Sequence, residues 1–571
     1  MKKRIAALLL SFGIVCTAAG CGGTKEDTSS IIWEYEYNDI YESGDSTGSN
    51  STASNTSSGS GNSIGVDDNF QHNSGTTNLE GNTYLSGFPI VKDKEKITIM
   101  AVTRSDVGDI TDSDFTKTYS KLTNMDIEWQ LVTEGAARQR VTLALQSGDL
   151  PDLIALGSSY VTNDDILRYG PEGTMVEITK EMLEKWAPNV KATYDKYPEA
   201  WDYTNVDGKM YTIASFFADF PYGQHYLWVR TTWLDKLGLG IPKNMNEFYD
   251  MLKAFKNNDP NGNGQKDEVP YATWSAAGFS TTPWGILGNS VEFDNSGKAV
   301  CSYTTSNMKN ALTFWNRVYK EGLVDKDTIN NWTGDNAAFK SLISGGKVGA
   351  FWWGYPSQLS DSLLKEYTAI PWPTSGDDNG NFPSVAVDYT QLVQPVGFII
   401  TNKCKNVSAA LRFIDYLYTN DGYMLKAFGN EGGIYDKVDD NTYKLNGKSA
   451  EQSTLGPNWT VMARHFLVDA ELVQDKSLLT QKRDACDEQL ESIYNSQGQK
   501  IIPNALKSKT ENQDIKRYST YFDTLAEKKY LFVKGDLNLG SDWTALQNDI
   551  SAKGLSNYLK SYQTFYDRVN K

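Results

Sequence analysis

From residue 97 onward, short apolar runs alternate with stretches whose apolar residues recur at helical spacing, and this alternation limits the choice of fold. Ile97-Thr98-Ile99-Met100-Ala101-Val102 reads as a buried first strand. Arg138 to Gln146 then places Val141, Ala144 and Leu145 on one helical face, and Asp152 to Leu156 is again short and apolar. The pattern returns at Asn244 to Phe255, where Phe248, Met251, Leu252 and Phe255 share a face and Asn244 with Glu247 makes a capping-box-like start. Val396 to Thr401, followed by a helix carrying Ala410, Phe413, Ile414 and Leu417, repeats it. Such an order predicts an α/β fold with a largely parallel sheet. A body of roughly 475 residues exceeds one hydrophobic core, so at least two lobes are expected.

The N-terminus points to a compartment. Met1-Lys2-Lys3-Arg4 is basic, and Ile5 to Val15 is an apolar run broken only by Ser11 and Gly13. Such a run is too short for a membrane span, which needs roughly 20 apolar residues, and reads as a secretory signal over 1–20. Thr17-Ala18-Ala19-Gly20 before Cys21 resembles a bacterial lipobox, in which the thiol takes diacylglycerol and becomes the new N-terminus. Ala18 stands where that motif prefers Leu; the competing reading is a plain secretory signal with an incidental cysteine. No later stretch is long or apolar enough to span a bilayer, so the expectation is a palmitate-type lipoprotein held at the extracellular face of the cell membrane through Cys21.

Residues 21–92 read as a Ser/Gly/Asn-rich tether, because segments such as Ser57-Ser58-Gly59-Ser60-Gly61-Asn62-Ser63 bury too little apolar surface to offset ordering entropy. Its span should scale as ~5–6 Å per square root of residue count, suited to lifting a body through a Gram-positive wall. Ile31-Ile32-Trp33-Glu34-Tyr35-Glu36-Tyr37 is an acidic-aromatic patch with no evident role. The net charge of -16 argues against a nucleic-acid or anionic-membrane partner. Beyond Cys16 and Cys21, only Cys301, Cys404 and Cys486 occur, too few and too scattered for a disulfide framework or a zinc site.

Five blocks occur in a telling order. Leu145-Gln146-Ser147-Gly148-Asp149-Leu150-Pro151-Asp152-Leu153-Ile154 comes first, then Asp207-Gly208-Lys209-Met210-Tyr211. Leu227-Trp228-Val229-Arg230 through Trp233-Leu234-Asp235-Lys236-Leu237-Gly238 and Pro242 is the third. Gly429-Asn430-Glu431-Gly432-Gly433-Ile434-Tyr435 and Phe532-Val533-Lys534-Gly535 with Asp542-Trp543 follow. Together they resemble the family-1 extracellular solute-binding proteins of ABC importers, in their long lipoprotein-type, alginate-oligosaccharide-binding-like branch. The resemblance implies two α/β lobes, a multi-segment hinge and a ligand cleft between them, with closure on ligand. It implies a first lobe over 93–215 plus 370–425 and a second over 222–365 plus 430–571. Crossings are then expected near Ile213 to Tyr222, near Pro371 and near Leu425 to Glu431. It also implies a monomer, an oligosaccharide ligand, two permease subunits and a cytoplasmic ATPase.

Asp259-Pro260-Asn261-Gly262-Asn263-Gly264-Gln265-Lys266-Asp267-Glu268-Val269-Pro270 is the sharpest local motif. Oxygen side chains Asp259, Asn261, Asn263 and Asp267 fall at positions 1, 3, 5 and 9, with Gly264 at 6, as in an EF-hand calcium loop. Gln265 would offer its backbone carbonyl. Pro270 stands where a glutamate is usual, so Glu268 would have to serve, a variant that resembles the calcium loop of alginate-type members of the family. The expected role of Ca2+ is structural; the competing reading is an Asn/Gly-rich turn without metal.

With 15 Trp and 32 Tyr, the chain is rich in rings on which the C–H face of a sugar can stack. Candidates in apparent loops are Trp274, Trp284, Trp332, Trp352, Trp353, Tyr355 and Trp372, with Trp352-Trp353 delivered by the strand Val348 to Phe351; ordinary packing is the competing role for each. Tyr222, Arg104, His225 and Glu431 complete the expected ligand site. Arg104 follows the first strand and would recognise a carboxylate if it is more than a surface arginine. His225 and Glu431 serve equally as a satisfied core histidine and a hinge residue. A secreted glycoside hydrolase or lyase would need two carboxylates ~5–9.5 Å apart. Nothing resembles a zinc-protease, nucleophile-elbow or Walker motif. A surface adhesin would bind polymer without a hinge or a permease. A peptide-binding transporter component would share the fold but take a different ligand.

Overall fold

The computed structural model describes residues 78–571 apart from 104–109, 218–224, 331–336, 390 and 447–465. The signal, Cys21, the patch at Ile31–Tyr37, Arg104, Tyr222 and Trp332 lie outside the described residues. In chain order the principal strands are β1 (Glu95–Thr103), β2 (Met125–Thr133), β3 (Leu153–Ile154), β4 (Ile213–Phe216), β5 (Tyr226–Arg230) and β6 (Val269–Thr273). They continue with β7 (Val348–Trp353), β8 (Tyr367–Ile370), β9 (Val393–Ile400), β10 (Tyr435–Asp439), β11 (Thr442–Leu445) and β12 (Glu471–Val473).

Two sheets organise the body, ordered β2-β1-β3-β9-β4 and β6-β7-β5-β8. Each is mixed, where the sequence pattern predicts a largely parallel sheet. β1 pairs in parallel with β2 and β3, and β6 with β7. β9 runs antiparallel to β3 and β4, and β5 antiparallel to β7 and β8. The reversed strand of each sheet is the one the chain enters from the other sheet. It arrives at the edge where the other strands end and must therefore run back from it.

Period-2 alternation divides each sheet between two cores. Ile97, Ile99 and Ala101 of β1 join Tyr119, Tyr194 and Phe413 on one face. Met100 and Val102 face Val141, Ala144 and Leu145 of helix Glu134–Ser147 on the other. In the second sheet Leu227, Val229, Ala350 and Trp352 pack on Phe248 and Phe255 of helix Met245–Asn257, whereas Tyr226, Trp228, Phe351 and Trp353 pack on Phe339 and helix Leu478–Gln497. Asn244 caps the first of these helices by accepting from Glu247 N at 3.0 Å, and Glu247 Oε2 accepts from Lys243 N at 2.8 Å. Gly397 is obligatory: a Cβ there would lie 2.8 Å from Ser215 N, where β9 and β4 shift register.

The chain changes sheet between β4 and β5, between β8 and β9, and again before helix Leu478–Gln497, which packs on the second sheet. A strap that follows this helix is laced to the second passage by amide side chains. Val387 exchanges two hydrogen bonds with the Gln499 amide at 2.7 and 2.8 Å, and Asn504 N donates to Gln391 Oε1 at 2.7 Å.

Two segments differ from the expectation drawn from sequence. Residues 78–92, expected in the tether, carry the fully buried Ile90 and Val91 against the first core. Residues 435–445 and 471–473, expected in the second lobe, form their own sheet β10-β11-β12 on helix Asn420–Phe428, with Tyr443 Oη donating to Asp421 at 2.6 Å and Lys196 pairing with Asp469 at 3.0 Å. In both, the apolar residues follow neither a helical nor an alternating period for long enough to reveal a docking face by pattern.

Candidate functional site

β6, β7 and β8 all end at the edge of the second sheet where β5 begins, and in α/β folds ligands meet loops at the C-terminal ends of strands. Register places the residues there: Tyr226 opposes Trp353, Leu227 opposes Trp352 and Ile370, and Thr273 opposes Trp352. His225 immediately precedes β5, Trp274 immediately follows β6, and Trp352 and Trp353 close β7. Rings from three separate strands thus meet because strand ends, which local sequence does not reveal, are in register.

Three of these rings are nearly parallel. His225 lies on Trp352 with centroids 4.2 Å apart and planes at 15°. Trp274 is 6.4 Å from Trp352 at 14° and 6.4 Å from His225 at 29°. Trp353, on the opposite face, stacks on Phe339 at 4.8 Å, and its carbonyl accepts from Trp228 Nε1 at 2.9 Å. Its own Nε1 is buried with no hydrogen-bond partner among the described residues.

Behind the rings stands a polar group that sequence reasoning missed. Buried Arg483, from helix Leu478–Gln497, lies 5.5 Å from the Tyr226 ring and 5.1 Å from that of Tyr355. Tyr226 Oη donates to Asp487 at 3.0 Å. Burial lifts the Asp487 carboxyl to about 7, against the pull of Tyr226 and Arg483. Burial, helped by the Arg483 charge, lowers His225 to about 4, so at neutral pH the imidazole is an uncharged ring. Arg483 and Asp487 lie some 250 residues beyond Tyr226 in a helix with no local motif, so no sequence signal marks them.

The remaining candidates separate. Trp284 is 2% exposed and packs on Phe314 at 5.6 Å. Trp372 is buried edge-on to Phe248 and Trp315. Glu431 is exposed in the turn before β10. At the matching edge of the first sheet, the Gly157–Tyr160 loop after β3 carries Ser158, whose Oγ is buried without a partner among the described residues.

The loop 259–270 joins helix Met245–Asn257 to β6, so it sits at the root of the strand that delivers Trp274. Asp259 accepts from the backbone N–H of Gly262, Asn263 and Gly264 at 2.7–3.1 Å. Gly262 and Gly264, both at φ +76°, provide the left-handed backbone this wrapping needs. Asn261 and Asn263 donate to Asp267 Oδ1 at 3.3 and 3.0 Å, and Asn263 Oδ1 accepts from Gln265 N at 2.7 Å. Lys347 pairs with Asp267 at 2.6 Å and, with the Asn263 bond, holds its carboxyl down at about 2. Pro270 is already in β6, which leaves Glu268 as the last carboxylate facing the loop. Both Glu268 oxygens are buried with no hydrogen-bond partner among the described residues, and burial raises its pKa. No group of three or more His, Cys, Asp or Glu converges among the described residues. The loop's donors are instead a mixed set of carboxylate, amide and backbone oxygens, which suits a hard cation, and the bare Glu268 carboxylate fits such an ion.

Known proteins set this geometry in context. The bacterial extracellular solute-binding protein family matches residues 103–424. The fructooligosaccharide ABC transporter substrate-binding protein FusA of Streptococcus pneumoniae is 24% identical over 78% of this chain and 85% of its own length. Its EF-hand mutant, solved with fructo-nystose, superposes with a TM-score of 0.65 at 21% identity, covering 83% of this chain and 100% of that one. An extracellular solute-binding protein from Bifidobacterium longum subsp. infantis reaches a TM-score of 0.71 at 23% identity, covering 84% of this chain and 99% of its own. The alginate-binding protein AlgQ2, solved without calcium ion, reaches 0.62 at 22% identity over 84% and 99%. These likenesses extend the two-lobed α/β fold over nearly all of the described body. Since the family match itself runs over more than half of its length, the chain belongs to the bacterial extracellular solute-binding proteins.

Proposed function

We propose that the chain is the lipid-anchored capture component of an ABC importer, holding an oligosaccharide between two lobes and handing it to a permease. The observation that carries the ligand class is the near-parallel set of Trp274, Trp352 and His225 at the strand ends. Uncharged flat rings offer stacking to the C–H face of a sugar and little to a charged solute, and FusA and AlgQ2 are named for fructooligosaccharide and alginate. Arg104 and Tyr222 complete the proposed ligand set; Trp353 and Trp284, both core-packed, and Glu431, exposed, are its weakest members. In this reading the first lobe comprises the sheet β2-β1-β3-β9-β4 with β10–β12, and the second comprises the sheet β6-β7-β5-β8 with the C-terminal helices. Closure follows only if the ligand binds the closed form better than the open one.

Cys21 carries the anchor at the extracellular face, and the protein works as a monomer without chemistry of its own. Glu268, with Asp259, Asn261, Asn263, Asp267 and the Gln265 carbonyl, holds a structural calcium ion, in keeping with the EF-hand of FusA. The bound ion would supply positive charge to the Glu268 carboxylate and brace the root of β6.

The test is a thermal shift of the mature chain against neutral fructans and acidic alginate and galacturonate oligosaccharides, with and without EDTA. A ligand at 100 times its dissociation constant adds ~2.7 kcal/mol of stability. A raised Tm with the sugar recovered intact supports capture, and cleaved sugar would replace this reading with a hydrolase or lyase. No shift with any sugar would move the ligand class to peptides.

A further inference from the structure

Two neighbouring residues in the strap behind helix Leu478–Gln497 are buried in different cores. Ala505 packs in the core of the second sheet with Ile515 and Phe565. Leu506, 4% exposed, packs with Ile166, Tyr169, Tyr211 and Val396 in a core of the first. The chain therefore changes lobe within one peptide unit. Leu506 is also hydrogen-bonded to both sides: its N–H donates to Tyr203 O at 2.8 Å, and its carbonyl accepts from Arg568 Nη2 at 2.8 Å. Tyr203 ends helix Glu199–Tyr203, whose Ala200 is buried in the first lobe. Arg568 belongs to helix Leu555–Val569, whose Tyr558 and Phe565 join the second core.

The double hold is repeated on either side. Tyr203 is half-buried against both cores, and its Oη donates to Gln391 Oε1 at 3.0 Å. Gln391 lies in the passage from β8 to β9; the same oxygen accepts from Asn504 N at 2.7 Å, and its Nε2 donates to Ile502 O at 2.6 Å. Two crossings are thus joined side by side, and Asn504 Nδ2 extends the join to Gln394 Oε1 of β9 at 2.8 Å. Beyond Leu506, Lys507 N donates to Asn163 Oδ1 at 2.8 Å and Lys507 O accepts from Asn163 Nδ2 at 3.2 Å. Helix Lys509–Phe522, rooted in the second core by Ile515, continues onto helix Asn163–Tyr169 of the first lobe. Asn512 Nδ2 donates to Asp164 Oδ1 at 2.5 Å, and Lys516 pairs with the same carboxylate.

When one rigid body turns against another, only points on the axis stay fixed to both. Packed cores move as rigid bodies, and an N–H···O bond holds over only about 2.7–3.2 Å. A turn of about 15° carries a point about 10 Å from the axis through ~2.6 Å, enough to break such a bond. A residue bonded to both lobes therefore keeps its partners only beside the axis. We propose that Leu506, Tyr203 and Gln391 mark the pivot on which the second lobe swings, and that helix Lys509–Phe522 stays seated on helix Asn163–Tyr169 while the ring platform travels. This rests on the two-lobed capture reading above and adds where the motion turns and which interlobe contact survives it.

The experiment measures distances between pairs of nitroxide labels, carried on unnatural residues in the purified full chain, by pulsed electron spin resonance, and needs no identified ligand. One pair spans the cleft, at Ala136 beyond β2 and Ser357 beyond β7; the other spans the pivot, at the exposed Arg168 and Gln513. The expected distance distribution of the cleft pair is at least about twice as broad as that of the pivot pair, as a swing about a nearby axis requires. Leu506→Ala should broaden the pivot pair, and so should Gln391→Leu, which leaves both cores intact if the first variant fails to fold. Equal widths in the two pairs overturn the pivot, whether both are broad or both narrow. A pivot pair that the folded variants leave unchanged overturns it as well. The capture reading is tested separately by adding fructans, alginate and galacturonate oligosaccharides: a cleft pair that none of them shifts counts against sugar capture, whatever the pivot pair shows.

Discussion

The two sheets share a plan and finish differently. In each, most strands run out to the cleft edge and one, β9 or β5, runs back from it. The second sheet ends in rings: His225, Trp274, Trp352, Trp353 and Tyr355. The first presents hydroxyls at or near its strand ends, at Thr103, Thr133, Ser158 and the buried Ser215, while Phe216, which closes β4, packs into the core. Rings already stacked on one another lose little conformational freedom when a ligand arrives, whereas a hydroxyl can rotate to suit whatever partner closes onto it. The proposed division of labour therefore puts adhesion on the second lobe and discrimination on the first.

The hardest way to break that comparison is to remove its central ring. Trp352 is 9% exposed and joins the second core, so Trp352→Ala is expected to cost ~3–5 kcal/mol of stability and to abolish any sugar-induced thermal shift. Trp274, only partly buried, separates the two effects. Trp274→Ala should leave Tm within a few degrees and weaken sugar binding by roughly tenfold, about the worth of one ring contact. Unchanged affinity in Trp274→Ala by calorimetry would end the case for an aromatic second-lobe platform.

Chelation probes the same lobe from below. If the loop 259–270 holds calcium at 100 times its dissociation constant, EDTA should remove ~2.7 kcal/mol and lower Tm, and Glu268→Gln should abolish the EDTA response. Because the loop roots β6, sugar affinity should fall with the metal. Glu268→Gln with full EDTA sensitivity would show that the bare carboxylate is not the ligand that matters.

Much of this lay open in the sequence, in a graded way. β1, helix Glu134–Ser147, helix Met245–Asn257 with its Asn244 cap, and helix Val407–Tyr416 follow from apolar period alone. Strand direction does not, since a reversed strand has the same period as a forward one, and so the mixed character of both sheets is invisible to pattern. Trp284 and Trp352 illustrate the limit for the site. Thr282-Pro283-Trp284-Gly285 has the small, polar neighbours expected of an exposed ring, yet its tight turn sends the indole against Phe314. Trp352, inside a six-residue strand, reaches the ring cluster because it is near that strand's end. Arg483 and Asp487 were illegible because only tertiary packing brings their helix to Tyr226.

His225 sharpens the comparison through pH. Its folded pKa, about 4, lies below the ordinary 6.5, so the unfolded chain takes a proton that the folded chain refuses. Stability from this group is full above 6.5 and is lost as pH falls through that value toward 4, by roughly 1–2 kcal/mol for a partly buried ring. His225→Phe keeps a ring on Trp352 and removes the titration. Its Tm, relative to the parent, should rise between pH 7 and pH 4.5. A constant difference across that range would mean the imidazole is not held neutral between Trp352 and Arg483.

The smallest effect is expected at the other edge, and its size is informative. Ser158 Oγ is buried with no partner among the described residues, so Ser158→Ala removes an unpaired hydroxyl and should leave the free protein unchanged or stabilise it by less than ~1 kcal/mol. On closure around a sugar, that hydroxyl would gain a partner, and the same substitution should then weaken binding by about 0.5–1.5 kcal/mol, a three- to tenfold change in Kd. Opposite signs in the free and bound states would show that the first lobe keeps an unmet hydrogen bond in reserve for its ligand. Equal Kd values for Ser158→Ala and the parent would show that this hydroxyl gains no partner on closure and would take Ser158 out of the first lobe's share of the site.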